Sequence, residues 1–214
     1  MGKQLLFQSL KKLINAFIGG LIIGLCGIAF LLFSDSILAM LIIGLGFLLC
    51  LLYGYDNFMI KLPYVFEGNK AINIIDLVIA FIGNFIGSII VALIAANTGL
   101  FEMFSLNSAL IVNSFIENFN HFELILYGIF AGIVIYFGVN TYKKAEQPIA
   151  RFLVLLLCGA LAFVLGGAMI SYSIVFVFAN GVTGALFTKL LTILLGNILG
   201  GISIPLLIKL RRKL

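Results

Sequence analysis

Four polar side chains stand inside long apolar stretches of the chain: Asp56, Asn57, Asn84 and Asn197. A carboxylate at membrane depth costs about 3 kcal/mol when it faces lipid, so Asp56 is expected to face the protein interior or to cap a half-helix. An amide in hydrocarbon needs hydrogen-bond partners. We therefore expect Asn84 and Asn197 each to hold the loop of a broken helix in a neighbouring span.

Two clusters of glycine and polar residues predict where those helices break. In both, flexible backbone stands beside groups that can satisfy the freed backbone N–H and C=O groups. An isolated Gly-Gly usually serves helix packing, but the matched position of the first cluster favours a break in the second. The clusters are Gly54, Asp56 and Asn57, and later Gly166, Gly167, Ser171 and Ser173.

The sequence lacks the groups that intramembrane catalysis would need. Its single histidine, His121, lies in a polar stretch where a solvated role is expected, and no nucleophile-base pair or metal-ligand spacing is present. Cys26, Cys50 and Cys158 stand in apolar runs, as small buried residues do. We therefore expect no enzyme, no metal and no cofactor.

The composition defines the class of protein that must position these residues. With 63% hydrophobic and 10% charged residues and a mean hydropathy of +1.26, the chain is predicted to be an all-α integral membrane protein. Apolar stretches long enough to cross a bilayer predict six spans. These are Asn15–Phe33, Ile37–Phe58, Ile72–Ala96, Glu123–Val139, Arg151–Ala179 and Val182–Ile208.

The basic residues predict the orientation. With the N-terminus in the cytoplasm, every Lys and Arg except Lys189 falls on the cytoplasmic side, and the outer loop 97–122 carries none. We expect a multi-pass protein of the plasma (inner) membrane with both termini cytoplasmic. The net charge of +5 then reflects topology and contact with membrane lipids, and gives no support for a nucleic-acid partner.

A duplicated motif predicts the architecture. Gly83–Gly87 (GNFIG) returns as Gly196–Gly200 (GNILG), 113 residues further along. Three spans per copy is an odd number, so the second copy must enter the membrane inverted, and inverted repeats place a pathway on their pseudo-two-fold axis. One transmembrane domain, 1–214, would hold repeats over about 12–97 and 123–208, with broken helices two and five. Two further matches support the pairing: Gly54 with Gly167, and Gly20 and Gly24 with Gly128 and Gly132.

The motifs resemble those of the formate/nitrite transporter family. Gly54–Phe58 is similar to the family's Gly-Ala-Asp/Glu-Leu-Phe-Thr loop, Ile82–Gly87 to its Val-Gly-Asn-Leu-Ile-Gly, and Leu195–Gly201 to its Ile-Gly-Asn-Ile-Ile-Gly-Gly. Tyr127–Ile129 stands where the family has Arg-Gly-Ile. The resemblance implies an aquaporin-like fold, a homopentamer with a pore through each protomer, and passage of small monovalent anions or their acids.

The chain departs from the family at the pore. The family's span-five loop reads Gly-Phe-Glu-His, and its histidine falls on Met169 by one alignment and on Ile170 by the internal repeat. Met59 stands where the family's pore threonine would be, and Arg151 lies near a basic residue kept at the cytoplasmic mouth. Thioether and aliphatic groups cannot relay protons, so an apolar constriction is expected, with Phe58 and Leu165 as its bulky members.

The sequence therefore predicts a passive channel for a small monovalent anion or its weak acid, of the formate, nitrite or hydrosulfide class. One alternative keeps the fold and conducts a small neutral solute. Another is a membrane assembly protein that transports nothing, although polar groups inside spans usually mark a pathway.

Overall fold

The computed structural model describes residues 2–33, 37–67, 70–111, 118–164 and 184–214. These residues form helices joined by short connections. A 3₁₀ turn, Leu62–Tyr64, follows α3 directly. The α-helices are α1 Gly2–Leu32, α2 Ile37–Tyr53, α3 Phe58–Lys61, α4 Lys70–Ala96, α5 Phe101–Ile111, α6 His121–Lys144, α7 Pro148–Val164 and α8 Gly184–Arg211.

Among the described residues, four helices (α1, α4, α6 and α8) are long and apolar enough to cross a membrane, and the bent pair α2–α3 makes up to five. The two parts of the bent pair meet at 65°. Helix α7 is apolar but shorter, and the rest of the predicted fifth span, 165–179, lies outside the described residues. The all-helical architecture is thus confirmed, and four or five of the six predicted spans are found among the described residues.

The long helices pack in matched pairs, with α1 along α4, α6 along α8, and α2 against α7. Glycines bring the backbones into contact. A Cβ on Gly20 would lie 2.4 Å from the backbone oxygen of Asn84, and one on Gly128 would lie 2.6 Å from that of Ile193. Small residues allow this close approach, so the glycines of the duplicated motifs serve the helix contacts.

The predicted outer loop, residues 97–122, contains a further helix. In α5, Phe104 is fully buried, and the Asn107 side chain donates a hydrogen bond of 2.6 Å to the carbonyl of Leu31 at the end of α1. The prediction of an outer loop did not include this helix, which places the apolar Phe104 against the bundle while Asn107 bonds the end of α1.

His121 also differs from its predicted loop position, because it is the first residue of α6. Asn120 caps that helix together with Glu123 in a capping box, which fixes where the helix starts. The imidazole Nδ1 lies 2.8 Å from the hydroxyl of Thr192 on α8. His121 therefore joins two helices at one end of the bundle.

Basic side chains gather at the opposite end. Lys12 on α1 contacts both carboxylate oxygens of Asp76 on α4, at 2.6 and 2.7 Å. The Lys143 ammonium lies 3.4 Å from the centre of the Tyr64 ring, and Lys209 donates to the carbonyl of Phe66 at 3.3 Å. The start of α1 and the ends of α6 and α8 therefore lie at the same end of the bundle.

Candidate functional site

The break in the second span begins with a glycine-terminated helix. Gly54 has a φ of +70°, the left-handed conformation that disfavours side chains. The Tyr55 N–H donates to the carbonyl of Cys50 at 2.9 Å, and the Gly54 N–H donates to Leu51 at 3.4 Å. This pair of bonds is the Schellman ending of a helix. Helix α2 therefore stops at Tyr53 for a local reason.

The short helix α3 starts at Phe58, and Asn57 is its N-terminal cap. The Asn57 side-chain oxygen accepts from the N–H groups of Met59 at 3.0 Å and Ile60 at 3.3 Å. Asp56 is not the cap. Its carboxylate contacts the Lys61 ammonium at 2.8 Å, on the far side of one helical turn. The carboxylate of Asp56, which would be costly at membrane depth, is therefore neutralised by an ion pair.

Asn84 on α4 connects the break to two helices. Its amide nitrogen donates to the carbonyls of Ala16 and Asp56, each at 2.7 Å, and its oxygen accepts from the Phe58 N–H at 2.8 Å. The side chain is fully buried. One amide therefore satisfies two backbone groups of the break, the Asp56 carbonyl and the Phe58 N–H, and ties them to the Ala16 carbonyl of α1.

Gly19 makes room for this arrangement, and the sequence reading did not single it out. A Cβ at Gly19 would lie 2.5 Å from the carbonyl oxygen of Asp56 and 3.1 Å from the Asn84 amide nitrogen. The Cys50 thiol lies 3.8 Å from the Gly19 carbonyl. The sequence contained one indication of this role. Gly19 directly precedes Gly20, and the packing motif formed by Gly20 and Gly24 does not require a second glycine there.

The first three side chains of α3 are apolar and point into the protein interior. Phe58, Met59 and Ile60 are all buried. The Phe58 ring meets Phe81 of α4 edge to face, with ring centres 5.3 Å apart. The position that the family resemblance gives to a threonine is thus a buried thioether beside a buried aromatic ring, and neither group can donate or accept a proton.

A second contact comes from the other copy of the duplicated motif. Leu62, at the start of the 3₁₀ turn, packs against Gly201 of α8, where an added Cβ would lie 2.8 Å from the leucine Cδ2 atom. Asn84 of the first copy and Gly201 of the second therefore contact the same broken span from two sides. Gly201 was also missed, although the Gly-Gly that ends the second motif carried the signal.

The start of α3 offers no free N–H groups to a permeant. The Phe58 N–H binds Asn84, those of Met59 and Ile60 bind the Asn57 side chain, and that of Lys61 donates to the Asn57 carbonyl at 3.0 Å. An anion nearby would feel the dipole of a single turn beside the Asp56–Lys61 ion pair, which has no net charge, and would not be hydrogen-bonded by these groups.

The remaining predicted residues lie elsewhere. Arg151 is exposed in the first turn of α7 and donates to the carbonyl of Ala145 at the end of α6. The Asn197 amide is buried and donates to the carbonyl of Ile193 in its own helix, at 2.9 Å. The residues predicted for the second break and for the far side of the constriction lie outside the described residues: Leu165, Gly166, Gly167, Met169, Ile170, Ser171 and Ser173.

Within the described part of the chain, no group of three or more His, Cys, Asp or Glu side chains could hold a metal ion. The cysteines in it, Cys26, Cys50 and Cys158, are free thiols. What the site offers is a helix break with satisfied backbone groups and an apolar lining.

Solved structures share this fold, whereas no protein-family model and no curated protein matches the sequence. A structure described as "Pentameric formate channel with formate bound" superposes with a TM-score of 0.73 at 19% identity, over 91% of this chain and 93% of that chain. An "FNT family ion channel" superposes with a TM-score of 0.71 at 18% identity, over 91% and 87%. The chain therefore has the fold of a pore-forming membrane protein. In particular, the fold is that of the formate/nitrite transporter channels.

Proposed function

We propose that this chain belongs to the formate/nitrite transporter family and forms a passive channel for a small monovalent anion or its weak acid, of the formate, nitrite or hydrosulfide class. The observation that carries the proposal is the buried break between α2 and α3. Asn84 holds it through three backbone hydrogen bonds, within a fold shared with a formate channel. Discontinuous helices of this kind form substrate pathways in membrane transporters.

In this proposal the architecture is two inverted repeats of three helices each. The matched pairs α1–α4 and α6–α8, each in contact through the glycines of one motif copy, support it. Both termini lie in the cytoplasm of a plasma-membrane protein, because Lys12, Lys143 and Lys209 gather at one end of the bundle. The assembly is a homopentamer, by analogy with the formate channel of the same fold.

Selectivity arises at an apolar constriction. Phe58 and Met59 supply one side, and Leu165 with Met169 or Ile170 supply the other. A bulky apolar ring excludes hydrated ions and favours species that shed water at low cost. The imidazole of the family has no counterpart in either alignment, so permeation does not use a proton relay at this point. Anions are attracted by Arg151 at the mouth, since the charge of Lys61 near the break is balanced by Asp56.

The buried Met59 also favours a second candidate, in which the same fold conducts a small neutral solute. A thioether constriction presents no charge or hydrogen-bond donor to a permeant. The third possibility, an assembly protein without a permeant, would leave the broken helix without a transport role.

Stopped-flow light scattering of proteoliposomes distinguishes these functions. Gradients of formate, nitrite, hydrosulfide and glycerol are applied in turn, with protein-free liposomes as the reference. Faster equilibration of at least one anion supports the anion channel. Flux of glycerol alone supports the neutral-solute channel, and rates equal to those of protein-free liposomes for every solute contradict both.

A further inference from the structure

A cavity of about 440 Å³ opens at the basic end of the bundle, where the segment that follows α3 forms one of its walls with Pro63, Tyr64, Phe66 and Glu67. Tyr136, Asn140 and Lys144 line it from successive turns of α6, and Lys209 and Arg212 line it from α8. Its volume lies in the range of about 300–1,000 Å³ found for ligand sites. The cavity therefore has room for a group larger than the small anions of the proposed pathway.

The charges of the cavity favour an anion. Lys144, Lys209 and Arg212 face one carboxylate, that of Glu67. The two ion pairs among the described residues, Lys12–Asp76 and Lys61–Asp56, use other cations. Three cations from two helices thus share one opening with an excess of positive charge.

The wall of the cavity on α8 continues into an apolar surface. Leu206 lines the cavity and is 41% exposed, and Leu207 and Leu210 beside it are 60% and 56% exposed. On a helix that crosses a bilayer, such leucines contact acyl chains. A ligand here would meet cations at one end and hydrocarbon at the other.

We propose that this cavity binds the phosphate headgroup of an anionic phospholipid. Lys144, Lys209 and Arg212 contact the phosphodiester oxygens, and the acyl chains lie along Leu206 and its exposed neighbours. Basic pockets between helices on the cytoplasmic side bind lipid headgroups in this way. The site does not depend on what the channel conducts, because none of these residues belongs to the break.

Native mass spectrometry of the full chain in detergent tests the site, with phosphatidylglycerol and phosphatidylcholine as probes. The cavity variant carries Lys144→Gln, Lys209→Gln and Arg212→Gln. The control carries Arg151→Gln, Arg211→Gln and Lys213→Gln, which removes equal charge from the same end outside the cavity. The preference for phosphatidylglycerol should fall at least about tenfold in the cavity variant and less than about twofold in the control.

Two results would overturn the proposal. Equal losses in both variants would mean that a diffuse surface charge attracts the lipid. Displacement of phosphatidylglycerol from the wild-type protein by millimolar inorganic phosphate would mean that the site holds a free anion. All three cavity side chains are exposed, so the variants should fold. Circular dichroism checks this, and Lys144→Arg with Lys209→Arg should retain the preference.

Discussion

The two copies of the Gly-Asn motif make different contacts with the same broken span. In the first copy, Asn84 binds the backbone of the break at Asp56 and the first residue of α3 at Phe58. In the second copy, Gly201 receives the side chain of Leu62, while the equivalent position of the first copy is the buried Ser88, whose hydroxyl donates to Phe85 in its own helix. Toward this broken span, the first copy therefore fixes backbone groups and the second provides space for a side chain.

The largest effect is expected from Asn84→Leu. This change leaves the Asp56 carbonyl and the Phe58 N–H without the Asn84 side chain as their partner, and each such group costs about 1–3 kcal/mol. The melting temperature in detergent should fall by roughly 10 °C or more, with loss of formate flux. Asn97→Leu is the matched control, because the exposed Asn97 amide only donates to Leu93 in its own helix. Equal melting temperatures for the two variants would contradict the role of Asn84.

Gly54→Ala should have the next largest effect. The left-handed φ of +70° costs a side chain roughly 1–2 kcal/mol, although a Cβ there would meet no described atom within 4 Å. The effect is therefore conformational and not steric. Gly54→Asn should be milder, because asparagine tolerates this region best among residues with side chains. Gly99→Ala, which also enters open space, is the control. Thermal unfolding by circular dichroism measures all three, and equal stability of the two alanine variants would contradict the strain.

Gly201→Ala tests the second half of the comparison. The added methyl group overlaps Leu62, and overpacking of this kind costs about 1–3 kcal/mol. Leu62→Val shortens the opposing side chain, so the double variant should recover part of the lost stability and formate flux. A double-mutant cycle should give a coupling energy of about 0.5 kcal/mol or more. Strict additivity of the two changes would mean that Gly201 does not seat Leu62.

The smallest effect is expected from Met169→His, because it changes one residue of the proposed constriction and leaves the sequence of both motif copies intact. Histidine titrates near pH 6.5, so the ratio of the variant's formate flux to that of the wild type should change several-fold between pH 5 and pH 8. Taking the ratio removes the change in formic acid concentration. Met103→His, in α5 and outside the proposed constriction, is the control. A constant ratio would place the constriction elsewhere.

The sequence predicted the parts of this site that have local causes. A glycine followed by Asp56 and Asn57 inside an apolar run had to interrupt a helix, and a buried amide at Asn84 had to find partners. The choice of cap could not be predicted, because Asp56 and Asn57 are adjacent and both are good N-caps. The ion pair with Lys61 decides between them.

Tertiary contacts explain what the sequence did not reveal. Gly19 and Gly201 look like any packing glycine, and their importance depends on what lies opposite them, Asp56 and Leu62. Helix α5 was missed because its contact with the bundle rests on Asn107 reaching Leu31, 76 residues away in the chain. The polar composition of residues 97–122 gave no indication that Phe104 would be buried against the bundle.

The most direct test of the central claim, that the residues after the break line the path of the anion, is chemical modification of Met59→Cys. Cys26, Cys50 and Cys158 are first replaced by alanine, and Gly99→Cys in the same background serves as the control. After treatment with a small methanethiosulfonate reagent, formate flux into proteoliposomes should fall by most of its value for Met59→Cys and stay unchanged for Gly99→Cys. Complete modification of Met59→Cys, verified by mass spectrometry, with undiminished formate flux would contradict the claim.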